Sequence, residues 1–287
     1  MAPSHIYNSS MMIELTFAHL SDIHMLPEGQ LYNTLDVHAR AASVLDAVDR
    51  LETPPAFMLI TGDNINEVEM AASYDRLKRL LARVRVPVVF ALGNHDVRRD
   101  FRAAFASELA PFLAVPGVSD EPCHGRAIIN NTRVLVLDTL VPGFTQGLLD
   151  EAQLAWLARE LDAPFGGATI LALHHCPLPI PTTRFADHQL TNARALEQVL
   201  LGARAKPIGL LCGHIHYTNI GLFAGVPCVS APGIAMGIAP DAQRGLRMHD
   251  CLGFNVCHII DGRFIVNPVI TQAESRTIKY DAVMAWQ

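Results

Sequence analysis

The sequence predicts an α/β protein with parallel strands, and three observations carry that reading. Short apolar runs rich in Val, Ile, Leu and Phe occur at Leu15 to Leu20, Ala56 to Ile60, Val86 to Leu92, Ala168 to Leu173 and Ile208 to Cys212. They are continuous rather than alternating, as strands buried on both faces read. Stretches with apolar residues at helical spacing separate the first three runs. Each run also stops at a histidine, a carboxylate or an asparagine, and the carboxyl ends of strands are where open α/β sheets place their sites.

Taken in order, the polar segment Met1 to Ser10 has no basic n-region and no apolar h-region, so it does not read as a secretory signal. Residues 1–12 are expected to be a disordered leader, with Met11 or Met12 as an alternative start, and 13–287 a single domain. Between the first two strands, Asp36 to Leu51 carries Val37, Val44, Leu45, Val48 and Leu51 at helical spacing. Met70 to Val84 does the same with Leu77, Leu80, Leu81 and Val84. Strand, helix, strand, helix, strand makes two βαβ units with helices on the sheet faces.

Pro111 to Pro122 reads as a loop, and Ile128-Ile129 with Val134 to Leu137 as a hairpin around Asn130-Asn131. Helices are expected at Leu149 to Leu161 and Ala193 to Gly202, and turn-broken antiparallel strands at Ile220 to Ser230 and Phe254 to Val266. The Pro- and Gly-punctuated stretches near 177–190 and 232–250 are long enough to serve as substrate-pocket walls.

Composition excludes several classes. Of 287 residues 50% are hydrophobic and 17% charged, which is a globular balance. No run reaches the ~18 apolar residues of a membrane span. Net charge is −6 with only 22 Lys and Arg, and no concentrated basic face exists to neutralise polynucleotide phosphates, so a large nucleic acid is not the expected partner. The clusters Arg83 to Arg85 and Arg98 to Arg102 read as solvated faces. Six cysteines form no CxxC pair and read as reduced thiols of a cytoplasmic protein; a Cys251 to Cys257 disulfide stays open, as does the oligomeric state, a homo-oligomer included. Ser-elbow, Walker A and dinucleotide-binding Gly motifs are missing.

The strand ends carry Asp22-Ile23-His24, Gly62-Asp63-Asn64, Gly93-Asn94-His95-Asp96, His174-His175 and Gly213-His214-Ile215-His216. Singly, Gly62-Asp63 or Gly93-Asn94 is an ordinary strand-ending turn, and Asp22 or His24 a cap or loop residue. Five such clusters in order are a metal-ligand pattern. The mixed nitrogen and oxygen donors suit Fe, Mn, Zn or Co.

That ordered pattern resembles the calcineurin-like metallophosphoesterase superfamily over residues 15 to 220. Within it, His19 to His24, Leu31 to Val37, Leu173 to Pro179 and Ala231-Pro232-Gly233 resemble bacterial class III cyclic nucleotide phosphodiesterases and related glycerophosphodiesterases. Cys176 departs from the proline usual in relatives. The resemblance implies a four-layer αββα sandwich of two mixed sheets flanked by helices, and two metal ions, iron with manganese or zinc. It implies Asp22, His24 and His216 on one ion, Asn94, His174 and His214 on the other, and Asp63 bridging, since a carboxylate can bridge and an imidazole cannot.

The same resemblance makes His95 the general acid and a metal-bound hydroxide the nucleophile. Asp96 is expected to orient His95 or a ligand histidine, and His175 to support the site or touch substrate. His19 reads as a core or supporting group, and His188 as surface or structural. The expected activity is hydrolysis of small phosphodiesters, cyclic AMP or glycerophosphodiesters. The alternatives are a phosphomonoesterase, a nucleotide or lipid pyrophosphatase on the same scaffold, or a metal-bearing scaffold without catalysis.

Overall fold

In the computed structural model the described residues are 13–109, 111–114, 117–180, 188–241, 245–249, 252–272 and 277–278. The expected leader 1–12, the segment 181–187 of one predicted loop, parts of 232–250, and Cys251 lie outside them.

One sheet has the order β13-β12-β1-β2-β3. Its strands β1 (Ile13–Leu20), β2 (Met58–Thr61) and β3 (Val88–Ala91) are parallel, joined through α1 (Val37–Asp49) and α2 (Met70–Leu81). The late strands β12 (Leu252–Ile260) and β13 (Arg263–Gln272) extend it antiparallel, β12 lying directly against β1. The other sheet runs β4 (Gly125–Ile129), β5 (Thr132–Val136), β6 (Ala168–Ala172), β7 (Gly209–Cys212), β9 (Val226–Ser230) and β8 (Ile220–Phe223), with a parallel centre and antiparallel edges.

Side-chain alternation along β1 explains the layering, since successive residues face opposite sides of a sheet. Ala18 and Leu20 pack with Val44, Leu45 and Val48 of α1 and Leu77 of α2. Leu15 and Phe17 point the other way, into a core shared with Val134, Ile170, Leu211 and Val229 of the second sheet. The outer face of that sheet, Leu171 and Leu210, is covered by Leu157 and Leu161 of α5 (Glu151–Asp162) and Leu196 and Leu200 of α6 (Ala193–Gly202). The result is the expected helix-sheet-sheet-helix sandwich. Asp36 and Asp150 start α1 and α5 by accepting from the backbone N–H of Ala39 and Gln153 at 3.0 and 2.8 Å, a cap that contributes about 1 kcal/mol.

Two sequence expectations are corrected. The stretch 232–250 is not all loop: β10 (Gly237–Asp241) and β11 (Gly245–His249) form a hairpin, joined by β14 (Thr277–Ile278). Arg98 to Arg102, in α3 (Arg98–Ala104) before the one-turn α4 (Ala106–Leu109), is only in part the expected solvated face, with Arg99 exposed beside Asp120. Arg102 is buried and donates to the carbonyls of Gly117, Glu121 and Pro122, while Arg98 pairs with buried Asp138 at 2.8 Å. Free carbonyls of a turning chain are acceptors that composition does not display. Cys257 is a free, buried thiol. Among the described residues no helix is long and apolar enough to cross a membrane.

Candidate metal centre

The carboxyl ends of β1, β2 and β3 meet those of β6 and β7, and the five histidine- and carboxylate-bearing loops interlock there. The backbone N–H groups of Asp22 and His24 donate to the carbonyls of Gly62 and Asp63 at 3.1 and 2.9 Å, and that of Gly213 to His174 at 2.9 Å. Asp22, His24, Asp63, His214 and His216 all have positive φ, between 48° and 73°, a left-handed conformation that costs about 1–3 kcal/mol at a non-glycine residue. Turned this way, side chains from the three loops after β1, β2 and β7 converge on one point. Gly93 is required by that convergence: a Cβ there would lie 2.1 Å from Asp63 Oδ1.

Two groups of donors result. The ligating atoms of Asp22, His24, Asp63 and His216 lie within 4.8 Å of one another, as do those of His174, His175 and His214. Asp63 stands between them, its Oδ2 3.5 Å from His24 Nε2 and 3.4 Å from His174 Nε2. Asn94 Oδ1 lies 3.2 Å from His174 Nε2, and His214 Nδ1 also 3.2 Å from it. On the other side His216 Nε2 is 3.2 Å from His24 Nε2 and 3.5 Å from Asp22 Oδ1. Nitrogens and carboxylate oxygens aimed at a common point at these separations suit a cation placed among them, the donor set of first-row transition metals.

The surroundings fix which nitrogen faces inward. His174 Nδ1–H donates to the Thr61 carbonyl at 2.7 Å and His216 Nδ1–H to the Met236 carbonyl at 3.1 Å, leaving each Nε2 lone pair directed into the site. Thr61 is held in turn by buried His19, 2.9 Å away, whose other ring nitrogen accepts from Asn255. The electrostatics also ask for positive charge. Burial disfavours the charged form of His174, yet the Asp63 and Asp22 carboxylates push it up to about 9. Burial likewise works against ionised Asp63, but the His174, His95 and His24 imidazoles hold it well below the usual range. Burial pulls His24 and His214 down.

His95 is 8% exposed, as is His214, against 0–2% for Asp22, His24, Asp63 and His174. Its ring stands edge-on to that of His24, with centroids 4.8 Å apart, and its backbone N–H donates to Asp63 Oδ1 at 3.0 Å.

Two residues expected to support the site are held by their own hydrogen bonds. The Asp96 carboxylate accepts from the Asn64 and Gly93 backbones, the Asn64 side chain and Tyr74 Oη, all at 2.8–3.1 Å, pinning the β2 loop to the β3 loop. Burial and nearby Asp63 raise its carboxyl to about 6. His175 has both nitrogens committed, Nδ1 to Thr139 Oγ1 at 2.7 Å and Nε2 to the Thr145 carbonyl at 3.0 Å, and burial lowers it to about 3. It packs against His214 with ring centroids 4.5 Å apart. His188 is nearer than the sequence suggests, 6.4 Å from the His214 ring and bonded to Thr145 Oγ1 at 2.7 Å. Thr61, Tyr74 and Thr139 were not singled out in the sequence; the one signal for Thr61 is its place immediately before Gly62-Asp63.

Apolar walls flank the donors. Tyr32 packs with Leu26, Val37, Ala235 and Met236, and its ring is 5.4 Å from that of His24. Ile180 and Ile238, from the two long loop regions, pack on Ile215 between His214 and His216.

Comparison with known proteins agrees with this geometry. Residues 15–218 match the family model of the calcineurin-like phosphoesterases. The chain is 32% identical over 269 residues to a cAMP/cGMP dual specificity phosphodiesterase of Mycobacterium tuberculosis, covering 91% of this chain and 80% of that protein. A glycerophosphodiester phosphodiesterase of Enterobacter lignolyticus is 28% identical, with 70% and 71% covered. A dimetal phosphatase from Danio rerio shares the fold at a TM-score of 0.66 and 14% identity, over 94% of this chain and all of that one. The strand-end donors and the sandwich that presents them are those of a hydrolase, and the chain belongs to the calcineurin-like phosphoesterase family.

Proposed function

We propose that this chain is a dinuclear metal-dependent phosphodiesterase acting on small diesters, a cyclic nucleotide such as cyclic AMP or a glycerophosphodiester. The observation that carries the reading is the position of Asp63 Oδ2, near equal distances of 3.5 and 3.4 Å from His24 and His174. Asp22, His24, Asp63 and His216 would hold one ion, and Asp63, Asn94, His174 and His214 the other, with Fe beside Mn or Zn, or Co, suited to the donors. When bound, two such cations would neutralise phosphoryl charge and bring the pKa of water toward neutrality.

The chain's own residues do the rest. Asp63 supplies the shared negative charge, and its hydrogen bond from the His95 backbone fixes the general acid beside it. Water gives up a proton as its oxygen bonds to phosphorus, the ester P–O bond breaks, the departing alkoxide takes a proton from the His95 imidazole, and the proton shed by the water restores that imidazole. Asp96 and Tyr74 hold the loop that carries Asn94 and His95. The names of the relatives support a diester.

A panel of bis-p-nitrophenyl phosphate, p-nitrophenyl phosphate, cyclic AMP and glycerophosphocholine, assayed on metal-reconstituted protein, tests this. The expected result is a higher kcat/KM for the bis ester and for at least one natural diester. A higher value for the monoester would replace this reading with a phosphomonoesterase.

A further inference from the structure

A second cluster of ligating side chains lies outside the phosphoesterase centre. The sulfurs of Cys176, Cys212 and Cys228 lie within 4.8 Å of one another, and all three residues are fully buried. They come from neighbouring positions on the outer face of the second sheet: Cys212 ends β7, Cys228 lies on the adjacent β9, and Cys176 follows β6 on the other side of β7. All three are free thiols.

We infer that these three cysteines form a site for one thiophilic trivalent ion of the arsenite class. Three thiolates about 2.3 Å from a shared ion, a usual metal–sulfur bond, lie about 3.5–4 Å apart, which falls inside the 4.8 Å span of the three sulfurs. Softness selects the ion type, because a thiolate-only site has no oxygen or imidazole donor for a harder cation. Charge selects the valence. The core cluster containing the three thiols consists otherwise of leucines, Phe223 and Val226. Three thiolates carry −3, so a monovalent ion leaves −2, a divalent ion −1 and a trivalent ion none, and residual charge is costly in apolar surroundings. Arsenite balances without a redox step: As(OH)3 and three Cys S–H groups give three As–S bonds and three waters. The site is independent of the proposed diester chemistry, although Cys176 directly follows His174-His175 and Cys212 directly precedes Gly213-His214.

The test is arsenite added to the metal-loaded protein under a phosphine reductant, with bound arsenic counted by elemental analysis and intact mass. One arsenic per chain is expected, with a mass gain of one arsenic less three hydrogens, and the catalytic metals retained. Uptake should be slow, because the thiols are buried, and faster in low denaturant. Cys176→Ala, Cys212→Ala and Cys228→Ala should each lower the stoichiometry from one to zero, whereas Cys257→Ala should leave it at one. Arsenic still bound in Cys228→Ala, or none bound when the wild-type chain is refolded with arsenite present, would overturn the assignment. Diester hydrolysis by Cys228→Ala at the wild-type rate reports that this variant has folded.

Discussion

The backbone N–H of His95 donates to Oδ1 of Asp63 at 3.0 Å, while Oδ2 of the same carboxylate faces the His24 and His174 imidazoles. One side chain therefore sets both the spacing of the two donor groups and the position of His95, the proposed proton donor. Asp63→Asn should abolish turnover and release at least one metal, since the amide keeps the shape but loses the charge and one acceptor. Asn94→Ala should weaken only the second group and recover part of its activity in excess Mn. Wild-type turnover by Asp63→Asn would contradict the assignment.

His95→Ala should keep its full metal content and lose about 10²- to 10⁴-fold in kcat on diesters with poor leaving groups, the usual contribution of a positioned acid. The loss on bis-p-nitrophenyl phosphate should be smaller, because p-nitrophenolate leaves without protonation. Equal losses on both would assign His95 to phosphate binding alone.

Gly93→Ala places a Cβ 2.1 Å from Asp63 Oδ1 and 2.4 Å from its backbone nitrogen. Neither can yield without displacing the shared carboxylate, so the variant should lose metal and activity together. Gly166→Ala, where nothing lies within 4 Å, should leave both unchanged. Metal content after reconstitution separates the two.

Much of this centre was legible because its residues end apolar strands, and strand ends in parallel sheets point to one edge. The pairing of β12 with β1 was not, since antiparallel partners so far apart in sequence leave no local signal. Nor was the role of Asp96, whose partners Tyr74, Asn64 and Gly93 are set by tertiary contacts. The same holds for the three thiols, isolated cysteines in the sequence that three adjacent strand ends bring together. The hairpin β10–β11 looks like loop in the sequence because its Gly and Pro content hides a weak strand pattern.

Asp138 is fully buried and accepts from Arg98 Nε at 2.8 Å, the Cys123 backbone at 2.7 Å and the Leu140 backbone at 2.9 Å. Asp138→Ala strips a partly buried guanidinium and two amides of their partner, and should cost about 3–5 kcal/mol. Urea denaturation checks this, and a change below 1 kcal/mol would contradict it.

His174 is held up to about 9 in the metal-free site, above its ordinary value, so it carries a proton at pH 7 that an arriving cation must displace. Metal affinity should therefore rise as pH increases from 6 toward 9, and binding at pH 7 should release protons. Calorimetry in buffers of different ionisation enthalpy reads the number released. Affinity that is flat over this range would contradict the linkage.

The direct test of a centre built around Asp63 is the number of transition-metal ions per chain, determined by elemental analysis after reconstitution with Mn and removal of excess. Two donor groups sharing one carboxylate predict saturation at two ions per chain and, in Asp63→Asn, at one or none. Saturation of the wild-type protein at a single ion would contradict the dinuclear centre.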